Sequence, residues 1–380
     1  MTEPTTGLVT GLVTELITMG RIGVDVYPLQ SGLSLRHVET FGKYLGGSPS
    51  NVAVAAARHG RSSAVITRTG ADPFGEFLHD ALRGFGVDDR YVTPVAGMPT
   101  PVTFCELFPP DDFPLYFYRF PTAPDLQIHQ EELDLSAIAR AEIFWATVTG
   151  LCQEPSRSAT LAALGAATGT VVLDLDYRPM FWASREEAAR FVRQALPYAT
   201  VAVGNLEECA VAVGSHDAES AAALLLAAGV KIAIVKQGPH GVLATDGVTT
   251  VVASPVPVEV VNGLGAGDAF GGALCHGLLS GWDLERTVRF ANAAGAIVAS
   301  RLSCADAMPT SAEVEAVLEL AASGTTLTAA HSASLAPASG LAPSSKPPET
   351  SRPVPVAGPP RDPGPVPAFD PPKNLTGERS

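Results

Sequence analysis

Residues 258–272, with the sequence VEVVNGLGAGDAFGG, decide how the rest of the chain is interpreted. They begin with β-branched residues typical of a strand end, pass through three glycines in five residues, and continue into an apolar run that ends near Gly281. The pattern predicts a strand, a tight loop and a helix, in that order. The glycines let the loop backbone approach a ligand, and the helix directs unpaired N–H groups and its positive dipole end into the loop. This stretch therefore predicts an anion site, with phosphate as the usual anion.

Asp268 places a carboxylate at the start of that predicted helix. Aspartate is among the best N-capping residues, and capping is its commoner role at such a position. The alternative role is that of a general base, which takes a proton from a substrate hydroxyl while the loop N–H groups stabilise charge on a transferred phosphoryl group. The two roles can coexist, and the stretch alone leaves both open.

The composition of the whole chain limits the classes of function. Its 380 residues, 46% hydrophobic and 17% charged, predict a globular protein of one large or two small domains. The formal net charge of −14 argues against general binding to nucleic acid or to a membrane surface. No apolar run reaches the length of a membrane span, and residues 1–12 lack the basic start of a signal peptide. The five scattered cysteines fit reduced thiols, so we expect a cytoplasmic protein.

Two polar groups follow predicted elements in the first part of the chain. Residues 16–19 are expected to form the first strand, and Asp25 is expected just past its carboxyl end. Open α/β sheets bind ligands at this position, and a turn or cap role for Asp25 is an equal alternative. Gly46 and Gly47 precede a predicted helix and would let the backbone approach a small ligand. Asn51 offers both a donor and an acceptor to hydroxyl groups.

Residues 100–121 differ in character from their surroundings. Two aromatic segments, 102–108 and 115–120, flank a proline-rich turn and predict a hairpin. Because the hairpin interrupts the alternation of strands and helices, we expect it to form most of a small β lid. The alternatives are a hairpin that covers the core and a homodimer contact through the aromatic lid. Arg119 lies among these aromatic residues, where an arginine needs an anionic partner.

From residue 141 onward, predicted strands and helices alternate regularly. Such repeats predict an α/β fold with a doubly wound, mostly parallel sheet and helices on both faces. Each polar cluster follows the carboxyl end of a predicted strand, and these ends share the edge of the sheet where ligands bind. The clusters are Asp25, Arg178, residues 205–208, residues 238–241 and residues 263–268.

The predicted fold occupies residues 15–322, after a flexible segment of residues 1–14. From Gly324 onward the chain is rich in Ala, Ser and Thr and then in Pro, with 13 of the 32 prolines between Pro337 and Pro372. Such a composition buries too little apolar surface to order itself. We therefore expect residues 323–380 to form a disordered tail.

Three motifs resemble, in their order and spacing, those of the ribokinase-like (PfkB-type) carbohydrate kinases over about residues 16–318. They are Gly46-Gly47-x-x-x-Asn51, Asn205-x-x-Glu208 and Gly265-Ala266-Gly267-Asp268-Ala269-Phe270. The resemblance implies an ATP-dependent sugar kinase with a parallel sheet and a β lid. It implies that Asp268 is the catalytic base. It also implies an anion hole for the γ-phosphate, formed by Gly265, Ala266 and Gly267.

The resemblance implies further roles outside the glycine loop. Asn205 and Glu208 match the motif that orders Mg²⁺ through water, and phosphoryl transfer needs this neutralisation of charge. Positions that match sugar-hydroxyl contacts are Asp25, Gly46, Gly47 and Asn51. Positions that match the ATP site are Asn205, Lys236, Gly238, Gly241, Gly265, Gly267 and, beside the adenine, Asn292. Residues 262–264, Asn-Gly-Leu, replace the usual Asp-Thr of the family, so the resemblance carries no prediction about activation by a monovalent cation.

Two arginines point to the class of sugar. Arg119 and Arg178 would be costly beside a neutral sugar, whereas an arginine fork suits a carboxylate. Residues 116–119 and 176–179 resemble the sugar-acid kinases of the family, which act on 2-keto-3-deoxygluconate or 5-dehydro-2-deoxygluconate. Residues 173–182 are most similar to the branch that acts on the latter in inositol breakdown. We therefore expect ATP-dependent phosphorylation of the terminal hydroxyl of a keto-deoxy sugar acid.

Several alternatives stay open. The arginines could form ion pairs with Asp111, Asp112 or Asp176 instead of binding substrate. The substrate could be 2-keto-3-deoxygluconate or fructose. The chain could be a non-catalytic sensor of sugar or nucleotide, although its intact Asp268 argues against this. A dinucleotide site is disfavoured because the glycine spacing is wrong and no acidic ribose partner follows.

Overall fold

The computed structural model of the protein describes residues 14–335. The strands are β1 (Leu16–Met19), β2 (Gly23–Pro28), β3 (Phe41–Gly46), β4 (Ser63–Gly70), β5 (Val87–Asp88), β6 (Val92–Val95), β7 (Val102–Cys105), β8 (Leu115–Tyr118), β9 (Ile143–Thr147), β10 (Thr170–Asp174), β11 (Val201–Asn205), β12 (Ile232–Lys236), β13 (Val242–Thr245) and β14 (Thr250–Ala253). The α-helices are α1 (Ser48–Arg58), α2 (Pro73–Gly84), α3 (Leu135–Arg140), α4 (Ser156–Ala166), α5 (Arg185–Ala195), α6 (Leu206–Val213), α7 (Ala218–Ala227), α8 (Ala266–Leu279), α9 (Leu284–Ala299), α10 (Ser311–Ala322) and α11 (Ala329–Leu335).

The large sheet has the strand order β14-β13-β12-β11-β10-β9-β1-β4-β5, and β6 also pairs with β4. Strands β12 to β5 along this order are parallel, and β13 and β14 add an antiparallel edge. Successive side chains of a strand face opposite sides of the sheet. Leu16 accordingly packs in the core layer of α1, α8 and α9, whereas Ile17 packs in the layer of α4, α5 and α7. The predicted doubly wound, mostly parallel sheet with helices on both faces is confirmed.

The small sheet has the strand order β3-β2-β7-β8. The predicted hairpin of residues 100–121 supplies β7 and β8, which are antiparallel. The other half comes from residues 23–46, which were not predicted to belong to the lid. Asp25 therefore lies inside β2, paired with Tyr44 of β3, and not just past the end of a large-sheet strand. Only three residues separate β1 from β2, so the chain passes directly from the large sheet to the small one.

The glycine loop is not preceded by a strand, which corrects the strand–loop–helix prediction. Residues 254–264 form only an isolated bridge, between Val258 and Leu327. Pro255 and Pro257 explain the difference, because a proline cannot donate a ladder hydrogen bond. The remaining helices and strands of the predicted alternation are found within a few residues of their expected bounds.

The folded part of the chain extends past residue 322, which corrects the predicted start of the tail. Leu327 is 1% exposed, and α11 follows it. Its main chain pairs on both sides, since its N–H donates to the carbonyl of Pro257 at 2.8 Å and its carbonyl accepts from Glu259 at 2.9 Å. The predictions for residues 336–380 and 1–13 lie outside the described residues. Within residues 14–335, none of the helices is both long and apolar enough to cross a membrane.

Candidate active site

A cavity of about 780 Å³ lies between the small sheet and the carboxyl ends of the large sheet's strands. Its lining combines residues of β2, β7 and β8 with the residues that follow β10, β11 and β12 and with the start of α8. Predicted site residues that line it are Asp25, Gly47, Asn51, Arg178, Asn205, Glu208, Lys236, Gly238, Gly241, Gly265, Ala266, Gly267, Asp268 and Asn292. Gly46 and Arg119 do not line the cavity. The strand-end rule therefore brought most of the predicted residues to one place.

The glycine loop turns directly into α8. Gly265 is the N-cap residue and adopts the left-handed conformation, with φ of 81°. A side chain at this position would clash with Cys304, because a Cβ would lie 2.6 Å from the Cys304 Sγ. Residues 265–267 line the cavity, and the first N–H groups of α8 have no intrahelical acceptor. This is the arrangement expected of an anion site at a helix N-terminus.

Asp268 is the third residue of α8 and does not cap it. Its Oδ2 accepts a hydrogen bond from the side-chain amide of Asn51 at 2.8 Å, which links α8 to α1. The capping interpretation is therefore wrong, and the carboxylate is held at the cavity wall instead. Burial raises the pKa of Asp268, whereas its hydrogen bonds with Asn51 and Ser48 lower it, and the net shift is upward. A raised pKa makes a carboxylate a better proton acceptor.

Lys236, the last residue of β12, adds a positive charge beside the anion site. A Cβ at Gly267 would lie 3.2 Å from the Lys236 Nζ, so the ammonium group is next to the helix start. Burial opposes the charge on Lys236, but the carboxylates of Glu208 and Asp174 raise its pKa overall. The ammonium therefore stays protonated at neutral pH and can attract a phosphate group.

Asn205 and Glu208 form a reciprocal cap at the start of α6. The Asn205 Oδ1 accepts from the Glu208 N–H at 2.9 Å, and the Glu208 Oε2 accepts from the Asn205 N–H at 2.7 Å. This capping box accounts for both residue types structurally. Both residues also line the cavity. Within residues 14–335, no cluster of three or more His, Cys, Asp or Glu side chains could hold a metal ion by itself.

The opposite end of the cavity is formed by the small sheet. Asp25 points into it, and the hydroxyl of Tyr27 donates to the Asp25 Oδ2 at 3.2 Å. Gly46 makes room for this carboxylate, because a Cβ at residue 46 would lie 2.2 Å from the Asp25 carboxyl carbon. Gly46 thus supports the site without lining it. Burial raises the pKa of Asp25 to about 6.

The two predicted carboxylate-binding arginines have different environments. Arg178 lines the cavity, and its terminal nitrogen lies 2.7 Å from the Oδ1 of Asp176. Arg119 is a correction, because it is buried away from the cavity. Its guanidinium pairs with Asp125 at 2.8 Å and lies 4.8 Å from the ring centre of Phe181. The physical reason is that β8 ends at Tyr118, so the alternation that turns Phe117 toward the cavity stops before residue 119.

Besides Asp111, which lies between β7 and β8, three further charged residues line the cavity and were not predicted to do so. Asp174 ends β10, Asp176 follows it, and Arg21 follows β1. Burial raises the pKa of Asp174. In Asp176 the effect of burial is outweighed by Arg178 and Arg21, which lower its pKa. The signal was available, since all three follow or end strands whose carboxyl ends form the ligand-binding edge.

The sequence is similar to those of known carbohydrate kinases. A model of the pfkB family carbohydrate kinases matches residues 13–311. The 5-dehydro-2-deoxygluconokinase of Geobacillus kaustophilus (strain HTA426) is 34% identical, over 80% of this chain and 93% of that protein. The enzyme of the same name from Shouchella clausii (strain KSM-K16) is 32% identical, over 80% of this chain and 95% of that protein.

Solved structures share the same architecture. A fructokinase with bound ATP from Xylella fastidiosa has a TM-score of 0.71 and 25% identity, over 80% of this chain and 98% of that one. A fructokinase double mutant from Vibrio cholerae O395, with fructose, ADP and potassium bound, has a TM-score of 0.71 and 26% identity, over 80% and 99%. A ribokinase-like protein from E. coli, with ATP and Mg²⁺, has a TM-score of 0.73 at 23% identity, over 80% and 99%, which shows the fold.

Proposed function

We propose that this chain, which belongs to the pfkB family of carbohydrate kinases, transfers the γ-phosphate of ATP to the terminal hydroxyl of 5-dehydro-2-deoxy-D-gluconate, in myo-inositol catabolism. The observation that carries the proposal is the position of Asp268, a half-buried carboxylate at the start of α8 that lines the same cavity as the glycine loop and the Asp25 side chain of the small sheet. The choice of sugar is supported by curated relatives with this activity in their names, which match about four-fifths of the chain.

In the proposed mechanism, Asp268 accepts the proton of the attacking hydroxyl. Asn51 fixes the orientation of that carboxylate through its 2.8 Å hydrogen bond. The N–H groups at Ala266 and Gly267, together with the ammonium of Lys236, stabilise the charge that develops on the transferred phosphoryl group. Most of the catalysis of phosphoryl transfer comes from such positioning and electrostatic stabilisation. In this proposal the Asp25 carboxylate and the Asn51 Oδ1, which has no partner among the described residues, accept hydrogen bonds from sugar hydroxyls.

ATP occupies the part of the cavity lined by Gly238, Gly241 and α9 in this proposal. Asn292 of α9 lines this part of the cavity, and one N–H of its amide donates to the carbonyl of Ser254 at 2.8 Å. We propose that Asn292 thereby holds the loop of Ser254 beside the adenine. Glu208 and Asn205 fit Mg²⁺ held through water, since Mg²⁺ keeps several waters and takes few protein carboxylates beside the phosphates. When bound, Mg²⁺ neutralises phosphate charge.

The substrate is tested by ADP release with ATP, Mg²⁺ and a panel of 5-dehydro-2-deoxygluconate, 2-keto-3-deoxygluconate, fructose and ribose. We expect the highest kcat/KM with 5-dehydro-2-deoxygluconate. If kcat/KM is highest with fructose or 2-keto-3-deoxygluconate, the chain is still a sugar kinase, but the proposed substrate is wrong. ADP release that no sugar stimulates would contradict the kinase proposal and favour a sensor. Arg178→Ala in the same panel shows whether this cavity arginine contributes to a preference for sugar acids.

A homodimer through the small sheet is a further part of the proposal. Its outer face carries exposed aromatic side chains, Phe41, Tyr116 and Tyr118, and Phe104 contacts the rings of the first and last. An exposed apolar patch of this kind is typical of an interaction surface. Light scattering should give twice the chain mass, and Tyr118→Lys should halve it. A monomeric wild type would contradict the dimer.

We also propose that the enzyme works in the cytoplasm. All five cysteines are free thiols, as expected in a reducing compartment. Cell fractionation that recovers the protein elsewhere would overturn this assignment.

A further inference from the structure

Arg21 is a largely buried cation whose guanidinium makes no hydrogen bond to any residue that the structure describes. Its side chain is 11% exposed. The nearest carboxylate oxygen, the Asp176 Oδ2, lies 3.7 Å from its terminal nitrogen, which is beyond hydrogen-bond distance. Its Nε is fully buried and has no acceptor among residues 14–335. A guanidinium has five N–H donors, and a buried donor without an acceptor is costly, so the geometry indicates that Arg21 serves to bind an anionic group.

The surroundings of Arg21 place this anion at the sugar end of the cavity. Arg21 lies just before β2, the strand that carries Asp25. Arg21, Asp25 and Phe117 of β8 all line the same cavity. The guanidinium carbon of Arg21 is 5.6 Å from the ring centre of Phe117. Its main chain packs closely against Gly47, because a Cβ at residue 47 would lie 2.4 Å from the Arg21 carbonyl oxygen. The guanidinium therefore lies in the cavity beside the small sheet.

No neighbouring carboxylate among the described residues accepts a hydrogen bond from Arg21. Asp176 is the only carboxylate within ion-pair distance among the described residues, and it is already engaged. Its Oδ1 is bound by Arg178 at 2.7 Å, and its Oδ2 accepts from the hydroxyl of Thr149 at 3.1 Å. Two guanidinium groups thus face one carboxylate, and Arg21 is the one left without a hydrogen bond.

We propose that Arg21 binds the carboxylate of the sugar substrate and thereby selects sugar acids over neutral sugars. The planar fork of an arginine matches a carboxylate with two parallel hydrogen bonds. Arg21 takes the role that the sequence suggested for Arg119, which the structure commits to Asp125. This inference rests on the proposed function. The other anion available in the reaction is the phosphate of ATP, and the experiment separates the two.

The test measures equilibrium binding, by calorimetry, of 5-dehydro-2-deoxygluconate and, separately, of Mg²⁺ with a non-hydrolysable ATP analogue. The variants are Arg21→Met and Arg21→Lys, with Arg83→Met as the control, since Arg83 is exposed and outside the cavity. We expect Arg21→Met to weaken sugar-acid binding about 30-fold or more, as for other buried charge pairs that lose one partner. Binding of the nucleotide analogue should be unchanged. Arg21→Lys should recover part of the affinity, because lysine keeps the charge without the fork.

Three results would overturn the inference. Unchanged sugar-acid affinity in Arg21→Met, with wild-type turnover of the acid, would contradict the role of Arg21 and leave the proposed function intact. Weakened binding of the nucleotide analogue, with sugar-acid affinity retained, would assign Arg21 to the phosphate. A wild type that binds and phosphorylates only neutral sugars would overturn the proposed function as well. If Arg21→Met does not fold, Arg21→Gln carries the same measurements.

Discussion

The edge of the large sheet and the small sheet form opposite walls of one cavity, and they differ in how they are built. The edge gathers charged side chains from successive strand–helix units, including Asp174, Glu208, Lys236 and Asp268. The small sheet joins two distant hairpins and presents mainly Asp25 and aromatic residues. The difference indicates that the two walls have separate roles, with phosphoryl transfer at the large-sheet edge and sugar recognition at the small sheet.

Asp268→Asn is expected to have the largest effect and tests that separation of roles most directly. The substitution keeps the shape of the side chain and removes the proton acceptor, so turnover should fall by at least ~10²-fold, as for loss of a general base. The affinity for the sugar acid should change little, because the small-sheet residues are untouched. Steady-state ADP release gives kcat, and calorimetry gives the sugar affinity.

Asn51→Asp is the companion variant for Asp268→Asn. It places two carboxylates where the structure has an amide–carboxylate hydrogen bond of 2.8 Å. Turnover should fall in this variant as well, and the activity–pH profile should move to higher pH, because a neighbouring like charge raises the pKa of Asp268 further. Near-normal turnover in Asp268→Asn would remove the base from the mechanism and, with it, the assignment of chemistry to the large-sheet edge.

Asp174 and Asp176 offer a matched test of how the large-sheet edge stores electrostatic strain. Asp176 is stabilised in its ionised form by Arg178 and Arg21, so Asp176→Asn leaves these two partly buried cations without their shared ion-pair partner. We expect a loss of about 3 kcal/mol in the free energy of unfolding at pH 8. This is the low end for a broken buried pair, because the Arg178 side chain is 34% exposed.

Asp174→Asn should act in the opposite direction. Burial raises the pKa of Asp174, so its ionised form destabilises the folded protein and the strain appears as pH rises toward its folded pKa. The neutral amide removes that strain, so the variant should be more stable than wild type at pH 8 and lose this advantage near pH 5, where Asp174 is protonated. Denaturant unfolding of both variants at the two pH values gives the signs. Equal destabilisation at pH 8 would contradict the assignment.

The large-sheet edge could be predicted from sequence because its information is local. Strands such as Ile232–Lys236 were found at their predicted bounds, and the rule that ligands bind at carboxyl ends then placed Lys236 and Asn205 at the site. The rule was applied to too few residues, since Arg21 and Asp174 satisfy it equally well. A strand before the glycine loop was wrongly predicted because β-branched residues were weighed above Pro255 and Pro257.

The small sheet could be predicted only in part because its pairing is long-range. The hairpin of β7 and β8 was evident from its aromatic pattern, but nothing local in residues 23–46 indicates that they pair with it. The position of the Arg119 side chain depends on where β8 ends and on its pairing with Asp125, six residues later. Both depend on tertiary structure. An arginine among aromatic residues predicts that an anionic partner exists and not which one.

A truncation pair gives the smallest expected effect and asks whether the large-sheet edge also depends on distant residues. Leu327 is bound to Pro257 and Glu259, next to residues that line the nucleotide part of the cavity, and Arg301 binds Ser332 through its Nε at 2.8 Å. Ending the chain after Gly324 removes these contacts and should raise the KM for ATP about 5-fold, as expected for the loss of one or two hydrogen bonds. The KM for the sugar acid should stay constant.

Ending the chain after Leu335 is the control for that truncation, because it keeps every contact between α11 and the rest of the described fold. Its KM for ATP should equal that of the full chain. If both truncations leave the KM for ATP unchanged, the loop of residues 254–264 holds its conformation without the segment that contains Leu327. The large-sheet edge would then depend for its stability, as for its prediction, only on residues close in sequence. The small sheet, whose strands pair over long sequence distances, would differ from it more than the contacts of Leu327 suggest.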